Sequence, residues 1–210
     1  MTIELWGNGQ TRAFSVHWIL HELALPYEKN LIGARTGETQ TLAFLALNSQ
    51  GKVPVLRDGD LIMTESAAII TYLSETYGSE KGLMPELGSA LRAQYFQWCF
   101  FAMTELDAQS LYIVRKHIDL AHIYGEAPVA VKIAQQTFLK QIKAVEHALD
   151  DGRHWILGTQ FTGADILLVT ALLWGKRSKL ILSAKLDAYA SRAAIRPAYR
   201  AACSASGRQP

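Results

Sequence analysis

Pro54 interrupts a segment that otherwise reads as a β-strand. Proline has no amide hydrogen, so inside a sheet it breaks a ladder bond and is confined to edges, bulges and strand starts. Yet Val53 to Arg57 has strand character, and Asp58-Gly59 turns the chain into a second run, Asp60 to Met63, as a hairpin. A cis Val53–Pro54 bond reconciles these facts. It bends the chain and leaves the Val53 N–H and C=O facing solvent, where an extended peptide can pair with them as an added strand.

The hairpin is followed by a helix start. Thr64-Glu65-Ser66 opens Ala67 to Leu73, whose apolar residues fall at helical spacing. A helix N-terminus carries unpaired N–H groups and a partial positive charge, which suits a carboxylate. The Ser66 hydroxyl and amide can hold that carboxylate while Glu65 holds an ammonium beside it. Together they form a site for a free amino-acid head. Taken alone, Thr64 as a helix cap with Glu65 complementing the dipole explains the same residues. Beside the Val53–Pro54 hairpin, the binding reading is preferred.

The order along the chain is strand (Ile3 to Gly7), helix (Thr11 to Leu23), strand (Tyr27 to Ile32), short helix (Thr39 to Leu47), hairpin, helix. After Tyr77 the pattern changes. Residues 79–88 read as a linker between an α/β domain at 1–78 and an all-helical domain at 89–210, with almost no period-two alternation beyond the linker. In the second half, Ser89 to Lys116 reads as one long helix. Val131 to Leu149 reads as an amphipathic helix that Gly152 ends. Thr162 and Asp165 have the spacing of a capping box, flanked by Phe161 and Ile166 at the positions of a hydrophobic staple. The residues after Cys203, small and polar, read as a disordered tail.

Composition excludes several classes. The 210 residues carry 21 basic and 19 acidic side chains, a net charge of +2, and show no basic run with interleaved aromatics, so no nucleic-acid partner is expected. No apolar run approaches the roughly 18 residues of a membrane span, and the N-terminal residues do not read as a signal peptide, so a cytoplasmic protein is expected. Cys99 and Cys203 are far apart, which argues against disulfide exchange or a zinc ribbon. His17 and His21 share a helix face, but no third ligand has matching spacing, and no metal is expected.

The Val53–Pro54 strand, the Glu65–Ser66 helix start and the Thr162–Asp165 box together resemble the glutathione transferase superfamily, over nearly the whole chain. The resemblance implies a thioredoxin-like N-terminal domain and an all-α C-terminal domain. It implies that Val53 pairs through its backbone with the cysteinyl part of glutathione, with Pro54 among the glutathione-binding residues, that Glu65 and Ser66 hold the γ-glutamyl group, and that Lys52 reaches the glycine carboxylate. Asn48-Ser49-Gln50-Gly51-Lys52-Val53-Pro54 departs from the usual motif in having Ser49 in place of a proline.

Such chemistry needs a thiolate. A free thiol ionises near pH 8.5, and lowering that by about two units takes roughly 2.7 kcal/mol of preference for the anion. One or two hydrogen bonds to the charged sulfur supply about that much. In the family a Tyr, Ser or Cys after the first strand donates the bond; this chain has none in the turn. Asn8, Gln10, Thr11 and Arg12 are the candidates. Thr11 ranks first for its hydroxyl and Asn8 second for its amide, with Gln10 and Arg12 as further glutathione contacts. Thr11 acting only as a helix cap stands as the alternative.

Phe101 and Tyr112, with Trp98 and Met103, are candidates to line an electrophile pocket, although aromatics at this spacing also suit a core or a dimer interface. Glu105 and Asp107 read as solvated helix surface; the resemblance offers the alternative that an acid on this helix reaches across a two-fold interface to the partner's glutathione. The resemblance implies a homodimer that binds glutathione as co-substrate and conjugates it to a small hydrophobic electrophile. Glutathione-dependent disulfide or peroxide reduction, or dehalogenation, is the enzymatic alternative. A non-catalytic interaction module of the same fold is the other.

Overall fold

The computed structural model describes residues 2–209. It divides into two compact units, Met1–Met84 with Ala194–Pro210, and Pro85–Ala193.

The first unit contains β1 (Ile3–Trp6), α1 (Ala13–Leu23), β2 (Tyr27–Asn30), a 3₁₀ turn (Glu38–Gln40), α2 (Leu42–Leu47), β3 (Val55–Asp58), β4 (Leu61–Thr64) and α3 (Ser66–Tyr77). The sheet order is β2-β1-β3-β4, with β1 parallel to β2 and antiparallel to β3, and β3 antiparallel to β4. This is the thioredoxin-like arrangement expected from the sequence. The ladder of β3 begins only at Val55, after the proline that cannot donate to it. The hairpin turn falls on Gly59-Asp60, with Gly59 at φ +60, and Asp58 closes the strand instead of opening the turn. The Asp58 carboxylate there accepts hydrogen bonds from the Tyr72 and Tyr77 hydroxyls at 2.8 and 2.5 Å.

Register places the site. Trp6 lies opposite Val55, and Val55 opposite Thr64. One residue beyond this shared row, Gly7, Pro54 and Glu65 therefore emerge at the same end of the sheet. α1 is buried on nearly every side (Phe14, Val16, Trp18, Ile19 and Leu20 are fully enclosed), because it packs against both α3 and the last helix of the chain.

That last helix, α10 (Pro197–Ser206), corrects two sequence-based expectations. Residues 204–209 are not a disordered tail (Pro210, also part of that expectation, lies outside the described residues): Ser206 is buried, and its carbonyl accepts the Gly9 N–H at 2.9 Å. Nor does the helical domain run to the C-terminus, because residues from Ala194 belong with the α/β unit. The expected linker is also partly structured, with a 3₁₀ turn at Ser79–Lys81 and Leu83 buried.

The second unit is helical. α4 (Ala90–Phe101) passes into a π-helical segment (Ala102–Leu111) and then α5 (Tyr112–His117), followed by α6 (Ala121–Tyr124), α7 (Pro128–Ala148), α8 (Gly163–Arg177) and α9 (Ala184–Ala194). The single long helix expected from Ser89 to Lys116 is thus interrupted. Within the π segment the Ser110 hydroxyl donates to the Glu105 carbonyl five residues back, at 2.7 Å. Asp107 is buried and Glu105 accepts from Gln141 Nε2 at 3.0 Å, so neither is the freely solvated surface residue expected. The core face of α7 is Ala134, Phe138, Ile142 and Val145, matching the three-to-four spacing in the sequence. The Thr162–Asp165 capping box forms as expected, and Phe161 and Ile166 are both buried.

Candidate functional site

The turn after β1 is built by its own polar side chains. Asn8 Oδ1 accepts the Gln10 N–H at 3.1 Å, an Asx turn. Thr11 N donates to the Asn8 carbonyl at 3.1 Å, and the Thr11 hydroxyl donates to the same carbonyl at 2.8 Å while accepting the Ala13 N–H at 3.2 Å. Thr11 therefore does act in capping α1. Its oxygen lies on the same side of Gly7 as Val53: a Cβ built on Gly7 would stand 3.3 Å from Thr11 Oγ1 and 3.1 Å from Val53 Cβ. Gly7, at φ +124 and 2.6 Å from Ala13 Cβ by the same measure, is where the turn and the Val53 edge meet, and no side chain fits there. Gln10 is exposed, and Arg12 is half-buried with its carbonyl accepting from Ser15 Oγ at 2.9 Å.

The Val53–Pro54 bond is cis, as the hairpin argument expects. Pro54 is buried, Val53 half-buried and Lys52 exposed. Among the described residues, none hydrogen-bonds the Val53 N–H or C=O. The loop that delivers Val53 is clipped by Asn48, whose side chain donates to the Lys52 carbonyl at 2.9 Å and accepts the Gln50 N–H at 3.1 Å. Gly51, at φ +62, makes the bend. Asn48 stands in the loop motif, but only the structure reveals its clip.

Glu65 is exposed and has φ +67, ψ +111, an uncommon conformation for a residue with a side chain. It ends β4 and directs Ser66 into the first helical position, where Ser66 is buried. Glu65 gives α3 no side-chain cap. By contrast, α2 is capped by Thr41 and α4 by Ser89.

Below the turn lies a histidine that sequence reasoning left as an ordinary helix residue. His17 is fully buried, with Nε2 2.9 Å from the Gly7 carbonyl and Nδ1 2.7 Å from the Tyr27 hydroxyl. Nε2 therefore carries the hydrogen and donates to Gly7, and Nδ1 accepts from the phenol. Burial lowers the His17 pKa from 6.5 to about 4, the Gly7 bond opposing that shift, with His21 and Lys29 adding to it. The same burial raises Tyr27 to about 12. Because the folded value is depressed, this group's full stability contribution is present above pH 6.5 and declines as pH falls toward 4. Unfolding followed at pH 7 and near pH 4 is expected to show a loss of about 3 kcal/mol from this group. Burial moves His21 in the same direction. In His17→Gln the decline becomes shallower; an unchanged slope contradicts the assignment.

In the helical unit, Phe101 and Tyr112 are half-buried and flank the π segment. Phe101 packs edge-on against Trp98 at 5.4 Å between ring centroids, and Lys116 Nζ lies 4.9 Å from the Tyr112 ring centroid. Burial raises the Cys99 thiol to about 12, and Cys203 is also buried, so neither provides an accessible thiolate.

Residues 1–75 match the glutathione S-transferase N-terminal domain, and residues 93–196 match the C-terminal domain of the same enzymes. The chain belongs to the glutathione S-transferase family. It is 42% identical over 108 residues to glutathione S-transferase GstB of Escherichia coli strain K12, a match that spans 50% of this chain and 51% of that relative. A longer match, 26% identical over 196 residues, reaches glutathione S-transferase GST-4.5 of Xanthomonas campestris and covers 91% of this chain and 92% of that one. Among solved structures, a glutathione transferase from Methylococcus capsulatus is similar, with 28% identity and a TM-score of 0.83 over 98% of this chain and 99% of that one. No helix among the described residues is long and apolar enough to cross a membrane.

Proposed function

We propose that this glutathione S-transferase family member binds glutathione along the Val53 edge, ionises its thiol, and transfers the sulfur to a small hydrophobic electrophile. The carrying observation is the sheet register that brings Gly7, Pro54 and Glu65 to one end, where none of the described residues hydrogen-bonds the Val53 polar atoms. The cysteinyl residue of the tripeptide pairs with Val53 as an added strand. Its γ-glutamyl carboxylate lies at the start of α3 near Ser66, its ammonium against Glu65, and its glycine carboxylate within reach of Lys52. Gln10 and Arg12 contribute from the turn.

The thiol loses its proton to solvent and the thiolate is held by a donor from the turn, Thr11 first and Asn8 second. The sulfur lone pair then forms the new bond to the electrophilic carbon as the leaving group departs with its electron pair. Phe101 and Tyr112 are the electrophile contacts in this reading. A cytosolic homodimer is part of it, supported by exposed apolar side chains on α4: Leu91, Phe96 and Phe100.

One observation favours the rival reading of a non-catalytic binding module: the Thr11 hydroxyl already donates to the Asn8 carbonyl. The ultraviolet band of the bound thiolate, followed with pH, decides between them. The enzyme reading expects an apparent pKa about two units below the free thiol, rising by about one unit in Thr11→Ala. A bound thiol titrating at the free value supports the module.

A further inference from the structure

We propose that the C-terminal end of α10, residues 206–208, is a positioning clamp for the thiol-activating turn. This inference rests on the site reading above and extends it to residues far away in sequence. Gly9 lies in the middle of the turn formed by Asn8 to Thr11, and both of its polar backbone atoms are engaged by the C-terminus. Its N–H donates to the Ser206 carbonyl at 2.9 Å, and its carbonyl accepts from Arg208 Nη1 at 3.5 Å. The fit is tight: a Cβ on Gly9 would collide with Ser206 Oγ and stand 2.6 Å from Arg208 Cβ.

The clamp is itself held rigidly. α10 ends in a left-handed Gly207 at φ +71, and Arg208 N donates back to the Cys203 carbonyl at 2.9 Å. That reversal carries the Arg208 guanidinium over the Phe14 ring, 3.9 Å from its centroid. At the other end of the helix, Arg196 donates to both Glu22 oxygens at 2.6 and 2.7 Å, and Glu22 also accepts from Trp18 Nε1 at 3.0 Å. Between these anchors Tyr199 packs edge-on against Phe14 and Trp18, at 5.5 and 4.9 Å. The helix is thus fixed to α1 along its length, and its last residues close over the turn that carries Asn8 and Thr11.

Ser206 and Arg208 touch the backbone of the turn, so their effect is expected on thiol ionisation more than on tripeptide affinity. Two variants test this: a chain ended after Ala205, and the milder Arg208→Ala. Each is compared with the unaltered chain by the thiolate band of bound glutathione, by affinity for S-methylglutathione (which has no thiol to ionise), and by amide hydrogen exchange at Gly9.

The shortened chain is expected to show a thiol pKa raised by about one unit, which leaves about threefold less thiolate at neutral pH. Its affinity for S-methylglutathione is expected to stay within about twofold, a change of under half a kcal/mol. Gly9 exchange is expected to accelerate, and Arg208→Ala to move the same readouts part of the way. An unchanged thiol pKa in both variants overturns the proposal, as does a loss of S-methylglutathione affinity in step with the thiol shift. Failure of the unaltered chain to bind S-methylglutathione overturns the site assignment instead. Gly9 exchange then decides the clamp on its own, since an unchanged rate in the shortened chain rejects it.

Discussion

Replacing Asp165 with alanine is expected to destabilise the helical unit by about 3–5 kcal/mol, the cost of disrupting a buried charged network. Asp165 is fully buried and accepts four hydrogen bonds. Ile156 N and the Tyr189 hydroxyl reach Oδ1 at 2.8 and 2.6 Å; Thr162 N and the Thr162 hydroxyl reach Oδ2 at 2.8 and 2.9 Å. One carboxylate thereby joins the Ile156 loop, the start of α8 and the middle of α9. Burial raises its pKa, and the four donors pull in the opposite direction. Alanine leaves those donors without their acceptor in a dry interior, at about 1–3 kcal/mol for each group that finds no water. Asparagine is expected to recover little, because its NH₂ would face donors at one of the two oxygen positions. Urea unfolding measures the effect. A loss under about 1 kcal/mol, the scale of an ordinary helix cap, contradicts it.

The second large effect is on binding. Glu65→Ala is expected to weaken glutathione affinity by about two to three orders of magnitude, or roughly 3–4 kcal/mol, the scale for removing one partner of a hydrogen-bonded charge pair. The fold is expected to survive, since the exposed Glu65 side chain gives α3 no cap. The unusual φ remains in the alanine variant, so whatever strain it stores is unchanged. Isothermal titration with glutathione and with an analogue lacking the γ-glutamyl ammonium separates the contributions. The analogue is expected to bind Glu65→Ala about as well as it binds the unaltered chain, and a large difference between them contradicts the ammonium assignment.

The features legible in the sequence were those whose chemistry is local. Pro54 cannot enter a ladder, wherever the rest of the chain lies, so its strand had to bend. The Thr162–Asp165 box is set by residues three apart, and the α7 face by a simple period. What could not be read depends on distant partners. His17 read as an ordinary helix-surface or partly buried histidine because nothing in its own helix announces the Tyr27 hydroxyl or the Gly7 carbonyl. Residues 204–209 have the composition of a tail, and only the packing of α10 on α1 gives Ser206 and Arg208 a counterpart in Gly9. The π segment from Ala102 shares its apolar spacing with an α-helix, so periodicity does not separate the two. The thiol donor was hard to read for a different reason: Thr11 has a local structural task that explains its presence equally well.

The most direct test of the binding mode is a crystal structure of this chain with glutathione. The account predicts the cysteinyl N–H and C=O paired with the C=O and N–H of Val53, the γ-glutamyl carboxylate at the start of α3, and the sulfur facing the turn of Asn8 and Thr11. A tripeptide bound elsewhere, or Val53 atoms engaged by the protein's own backbone in its presence, would contradict it.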